Sequence, residues 1–151
     1  MRKPNDTLPK ALDVVVLTQD EARIWHGLPD RERQHGNPTK PQRVAARDPH
    51  RVHRHVRTGQ AHHMHHLDAD DPKYFDAVAA QVGDAERILL VGHARGRSNM
   101  AKGFAAHVSK RHRQIAKRVI GEIEADIPAL TEPEILELAR SWYARYCKRE
   151  R

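Results

Sequence analysis

The sequence predicts a single α/β domain, with a mixed β-sheet, helices packed on the sheet, and elements in the order βββ, loop, αβαβα. Three observations carry this prediction. The chain has 151 residues, about the length of one ordinary domain, which leaves little room for a second core. Its first apolar runs are short: LDVVVLTQD is rich in β-branched residues, and EARIWHGL alternates Ala22 and Ile24 with Arg23 and Trp25, as strands do. Later segments alternate between helical periodicity and short continuous apolar runs, the pattern of helices crossing over a sheet.

In chain order, the run Val14 to Val16 predicts a buried strand, and Thr18-Gln19-Asp20 a tight turn into a second strand, so the pair forms a hairpin. Residues 29 to 41 hold three prolines and a glycine, the composition of a loop, and lead to a short strand around QRVAAR. In DDPKYFDAVAAQVGD, Asp71 can cap a helix and Pro72 suits its first turn. Tyr74, Phe75, Val78, Ala79 and Val82 make its apolar face, and Gly83 ends it. ERILLVGH reads as a strand buried on both faces. SNMAKGFAAHVSKRH reads as a helix capped by Ser98 or Asn99, with Met100, Phe104 and Val108 on one stripe. A last strand is expected near Arg118 to Glu124, although Ile115 to Ile123 also fits a continued helix. The final helix opens with the capping box Thr131-x-x-Glu134, and its expected buried face is Ile135, Leu138, Trp142 and Tyr146. The resulting partition is a flexible tail at 1–10, the α/β domain at 11–146 with an exposed loop at 48–71, and a basic tail at 147–151.

Lys and Arg total 27 against 20 Asp and Glu, giving a net charge of +7 with neutral histidines. Such a balance suits a partner that carries phosphates better than an acidic small substrate. Cys147 has no second cysteine to pair with, which fits a reducing cytoplasm. The opening MRKPNDTLPK lacks the apolar segment of a signal peptide, and no run approaches the roughly 20 apolar residues of a membrane span. The expected location is the cytoplasm, with no membrane partner.

The loop carries HRHVRTGQAHHMHH at 53–66, free of acidic residues and of any sustained apolar period. Long unstructured stretches in a small domain are usually functional or disordered. Arg51, Arg54 and Arg57 supply permanent charge, while His53, His55, His62 and His63 can hydrogen-bond phosphates or stack on exposed bases, all suited to RNA. Seven of the 12 histidines fall between 50 and 66, which also suggests a metal cluster. However, from His50 to Leu67 the loop has no cysteine and no carboxylate, so neither a specific metal site nor any cofactor is expected. GHARGRS at 92–98 has the wrong spacing for a nucleotide-phosphate loop, yet Arg95 and Arg97 ahead of a helix N-terminus can hold a backbone phosphate.

Together, VVVLTQDEARIWHG, RTGQAHH, ILLVGHARGRS and RVIGEIEADIPALTEPEILELARSWY resemble, in order, the middle domain of archaeal and eukaryotic class I peptide-chain release factors. They also resemble small bacterial release-factor-like proteins, including those described as translational machinery proteins. The resemblance spans residues 11 to 146. It implies a stand-alone domain that docks on the ribosome, rRNA or tRNA. In the release factors the loop reads Gly-Gly-Gln and enters the peptidyl-transferase centre, where glutamine helps water cleave the peptidyl-tRNA ester. Thr58, Gly59 and Gln60 occupy the matching positions here, so Gln60 and Gly59 would be the catalytic residues of an ester hydrolase. Thr58 departs from the pattern, because a β-branched residue reaches the backbone angles open to glycine only at a cost of about 1–3 kcal/mol. Non-catalytic docking is therefore the expected role, with peptidyl-tRNA hydrolysis and metal binding as the alternatives. The oligomeric state is left open.

Overall fold

The computed structural model describes residues 10–28, 40–46, 72–93 and 99–150. Its centre is strand β1 (Leu12–Leu17), all six residues of which are buried. β1 pairs antiparallel with β2 (Glu21–Leu28) and parallel with β4 (Arg87–His93). β3 (Gln42–Ala45) joins antiparallel to β2, and β5 (Val119–Ala125) joins parallel to β4. The five-stranded mixed sheet has the order β3-β2-β1-β4-β5.

Helices α1 (Pro72–Gln81), α2 (Met100–Arg111) and the short α3 (Arg113–Ala116) cover one face. A 3₁₀ turn (Ile127–Ala129) and α4 (Glu132–Glu150) cover the other. Alternation along β1 divides the two cores. Val15 and Leu17 pack with Phe75, Val78, Phe104 and Val108, while Leu12, Val14 and Val16 pack with Trp25, Leu89, Val91, Ile135 and Tyr143. A strand enclosed on both sides needs apolar residues at every position, hence the unbroken runs in β1 and β4.

One break in the hairpin register keeps both faces apolar. Leu12 pairs with Leu28 and Val14 with Trp25, so β2 carries an extra residue opposite Asp13. Gly27 takes φ 73° there, the left-handed geometry that favours glycine in a bulge. The extra residue returns Leu28 to the face already held by Trp25. Asp13, only 5% exposed, accepts the Gly27 N–H at 3.0 Å and lies 2.7 Å from His26 Nδ1. A buried carboxylate is thus given partners by the bulge it faces.

Most elements match the sequence expectations. The Thr18 turn forms, with Thr18 Oγ1 donating to the Glu21 carbonyl at 2.9 Å and accepting from the Asp20 and Glu21 amides. The Thr131–Glu134 capping box closes in both directions, at 2.8 and 3.3 Å. Asn99 caps α2, whereas Asp71 and Ser98 lie outside the described residues. The last strand begins at Val119, after a short helix that ends at Ala116. α4 continues through residues 147 to 150, the stretch set apart as a basic tail by composition.

The apolar face of α4 differs from its expected stripe. The buried residues are Ile135, Leu136, Ala139 and Tyr143, and Leu138 is 37% exposed. Ala139 carries too little apolar surface to mark the stripe, while Leu138 carries enough to misplace it. Trp142 remains packed against the sheet, lying on β5 where Gly121 leaves space. A Cβ added at Gly121 would sit 2.4 Å from the Trp142 ring.

That close approach yields a test of the packing. Gly121→Ala should destabilise the protein by about 1–3 kcal/mol through overpacking. The same change in a Trp142→Ala background should cost much less, a coupling readable from urea denaturation of the four proteins in the cycle.

Candidate nucleic-acid-facing edge and a histidine–aspartate cluster

β4 and β5 run parallel to β1, and β3, being antiparallel to β2, runs the same way. The C-terminal ends of β1, β3, β4 and β5 therefore share one edge of the sheet. In open α/β sheets this edge is where ligands bind, because the connecting loops collect there. Ala46 is tied to it by its N–H, which donates to the Asp20 carbonyl at 2.9 Å. The start of α1 is tied to it by Tyr74, whose hydroxyl donates to the Thr18 carbonyl at 2.8 Å. Burial raises the Tyr74 pKa, with the nearby Glu21 and Asp20 charges adding to the effect, so this hydroxyl stays a donor.

The residues that flank segment 47–71, Ala46 and Pro72, thus belong to this edge. So do the residues that flank segment 94–98, His93 at the end of β4 and Asn99 at the start of α2. β3 and β4 are three positions apart in the sheet, or about 14 Å at the usual strand spacing. Arg51, His53, Arg54, His55, Arg57, Thr58, Gly59, Gln60, His62, His63, Arg95 and Arg97 all lie outside the described residues.

The second anchor depends on one close approach. Asn99 is 8% exposed, and its Oδ1 accepts the Ala101 and Lys102 amides at 3.0 and 3.3 Å. A Cβ at Gly92 would come within 2.1 Å of that oxygen. The glycine one residue before the end of β4 is therefore what allows the cap of α2 to fold back over the strand. Asn99 Nδ2 also donates to Glu124 at 3.3 Å, tying the cap to β5. Among the described residues, His93 Nδ1 is a buried side-chain nitrogen with no hydrogen-bond partner, at the point where segment 94–98 begins. Described charges on this edge are mixed, since Glu132 pairs with Arg23 at 3.1 Å and with Arg43 at 2.9 Å.

On the helix layer the structure assembles a group that sequence spacing does not reveal. Asp76 on α1 has Oδ1 2.7 Å from His107 Nε2 and 2.8 Å from His112 Nε2. Residues five apart on a continuous helix point in different directions. His112, however, leaves the helix as the C-cap of α2, with φ −135° and ψ 65°, which allows its ring to come beside that of His107. The ring centroids are 5.5 Å apart, and His107 also lies 5.5 Å from the Phe75 ring. Hydrogen bonds from His112 and then His107 hold the Asp76 carboxyl below its ordinary range. His107 and His112 sit in a sequence stretch conspicuous for its basic charge. No sequence rule links them to an aspartate on another helix.

These elements define a single α/β domain, consistent with a release-factor-like fold. No family model matches the chain, and no curated protein matches it. Among solved structures it is similar to Archaeoglobus fulgidus Pelota, the crystal structure of which reveals inter-domain structural plasticity. The TM-score is 0.55 at 11% identity, covering 91% of this chain and 32% of that one. The chain thus spans about a third of that protein's length, and the likeness is one of fold. No helix among the described residues is long and apolar enough to cross a membrane.

The Asp76 cluster gives a pH signature. Because the folded carboxyl titrates below its unfolded value of 3.8, its contribution to stability is present above that value and lost as pH falls through the lowered one. In metal-free buffer, Asp76→Asn should flatten the loss of stability below about pH 4. Urea denaturation across the acid range reads this.

Proposed function

We propose that this chain is a translation-associated domain that binds ribosomal or transfer RNA through segments 48–71 and 94–98 acting side by side. The observation that carries the proposal is the shared edge. The residues on either side of 47–71 and of 94–98, Ala46 with Pro72 and His93 with Asn99, belong to the same end of the sheet. One segment contains Arg51, Arg54 and Arg57 and the other Arg95 and Arg97, so cations distant in sequence have a common place to meet phosphates. The surrounding histidines His53, His55, His62 and His63 add stacking and hydrogen-bonding capacity of the kind that exposed bases use. The likeness to Pelota, a translation-related protein, supports a translational setting for such a surface.

Docking without hydrolysis is the role proposed for the Thr58-Gly59-Gln60 tip. Ester hydrolysis needs a glutamine fixed beside the attacking water, and small misplacements of such groups cost about 10²-fold in rate. Thr58 restricts the backbone that would place Gln60, and His62 and His63 add bulk immediately behind it.

Co-sedimentation with ribosomes carrying peptidyl-tRNA, over a series of salt concentrations, tests both parts. The wild-type protein should sediment with ribosomes at low salt and leave the ester intact. Replacing Arg51, Arg54 and Arg57 by Ala should weaken binding and flatten its salt dependence, the slope falling by about one for each phosphate no longer neutralised. Unchanged affinity and slope would remove these arginines from the interface. Ester cleavage abolished by Gln60→Ala would replace docking with catalysis.

A further inference from the structure

The Asp76, His107 and His112 cluster lies on the layer formed by α1 and α2 and has no part in the RNA-binding proposal. Three candidate ligand atoms, one from each residue, all lie within 4.8 Å of one another. Two are imidazole nitrogens and one is a carboxylate oxygen, the donor set of open first-row transition-metal sites that keep solvent in the remaining positions. Hard cations such as Mg²⁺ and Ca²⁺ prefer oxygen alone.

We propose that Asp76, His107 and His112 form a binding site for a divalent transition-metal cation, with zinc as the representative ion.

The present geometry is close to what coordination needs. Zinc-to-ligand distances near 2.0–2.1 Å place neighbouring ligand atoms about 3.3 Å apart. The two His-to-Asp separations are 2.7 and 2.8 Å, and all three ligand atoms lie within 4.8 Å of one another, so Asp76 has to withdraw by about half an ångström and the half-exposed His112 ring has to turn its nitrogen towards that of His107 for an ion to enter. Asp76 has the freedom to do so, its side chain being 48% exposed, whereas that of His107 is 10% exposed and fixed against Phe75. One ligand is thus rigid, one is held by the helix cap, and the third is an adjustable carboxylate open to solvent. In the metal-free protein the imidazoles direct Nε2 at Asp76. With metal bound, each would present the Nε2 lone pair and carry its proton on Nδ1. The neighbours of His112 in sequence, Arg111 and Arg113, are exposed and free to turn into solvent.

An ion held this way joins α1 to the end of α2, so it binds the folded protein and stabilises it, unlike ions bound loosely along a His-rich stretch. The test uses the full chain with zinc alone as the probe. In one variant the seven histidines between 50 and 66 are changed to Ser, and a second variant adds His112→Gln. Zinc is measured by competition with a chromophoric chelator, and thermal unfolding is followed by circular dichroism.

The seven-histidine variant should keep one tight zinc equivalent and melt several degrees higher with zinc than with EDTA. Adding His112→Gln should weaken that equivalent at least tenfold and abolish the zinc-dependent rise in Tm. If His112→Gln prevents folding, Asp76→Asn takes its place with the same expectation. Absence of a tight equivalent in the seven-histidine variant, or its survival after loss of His112 or Asp76, would overturn the proposal.

Discussion

Enclosure of β1 and β4 between two helix layers is the constraint on which the rest of this structure depends. All six residues of β1 are buried, and Ile88 to Val91 of β4 are at most 1% exposed. At about 25 cal/mol for each Å² of apolar surface withdrawn from water, such a pair dominates the stabilisation of a small domain. Its effect is also directional. Parallel pairing of adjacent strands needs a crossover, and crossover helices lie on the faces of the sheet. The chain between β1 and β4 therefore returns along α1, and the chain between β4 and β5 along α2. Both helices begin at the same edge and run back towards the starts of the strands.

The functional geometry follows from that path. Each crossover leaves its preceding strand at the C-terminal edge, so the residues from which it departs share that edge. Segment 47–71 follows β3 and precedes α1, and segment 94–98 follows β4 and precedes α2. Three small devices hold the edge in place. The Thr18 turn receives the Tyr74 hydroxyl, Asn99 folds back over Gly92, and Glu132 binds Arg23 and Arg43 together. Each ties down residues next to the points where segments 47–71 and 94–98 depart. At the opposite end, Arg87 spans the Tyr143 hydroxyl at 3.2 Å and Glu150 at 2.8 Å, while the Tyr143 hydroxyl donates to the Lys10 carbonyl at 2.6 Å. This end of the molecule is committed to holding α4 against the sheet.

The parts legible in the sequence are those with a local physical cause. Continuous apolar runs marked β1 and β4, a threonine turn marked the hairpin, and a capping box marked the start of α4. The buried face of α4 was misplaced because Leu138 and Ala139 differ in apolar surface in the sense opposite to their burial. The bulge at Gly27 was signalled by a glycine inside a strand pattern, but its purpose becomes apparent only with Asp13 on the neighbouring strand. The Asp76 cluster lay beyond sequence reasoning for a related reason. It joins residues more than thirty positions apart, and one of them faces inward only because the helix ends at His112. The arginines and histidines proposed to meet RNA were conspicuous by composition, while the common edge of the residues that flank their segments emerged from strand direction.

Whether two separate segments form one RNA-binding surface is tested most directly by hydrogen–deuterium exchange of the protein free and bound to ribosomes. Backbone amides in 48–71 and in 94–98 should gain protection together, at the same ribosome concentration. The basic end of α4, around Arg145, Lys148 and Arg149, should exchange as it does in the free protein. Protection confined to the end of α4, with both segments unchanged, would contradict a shared surface.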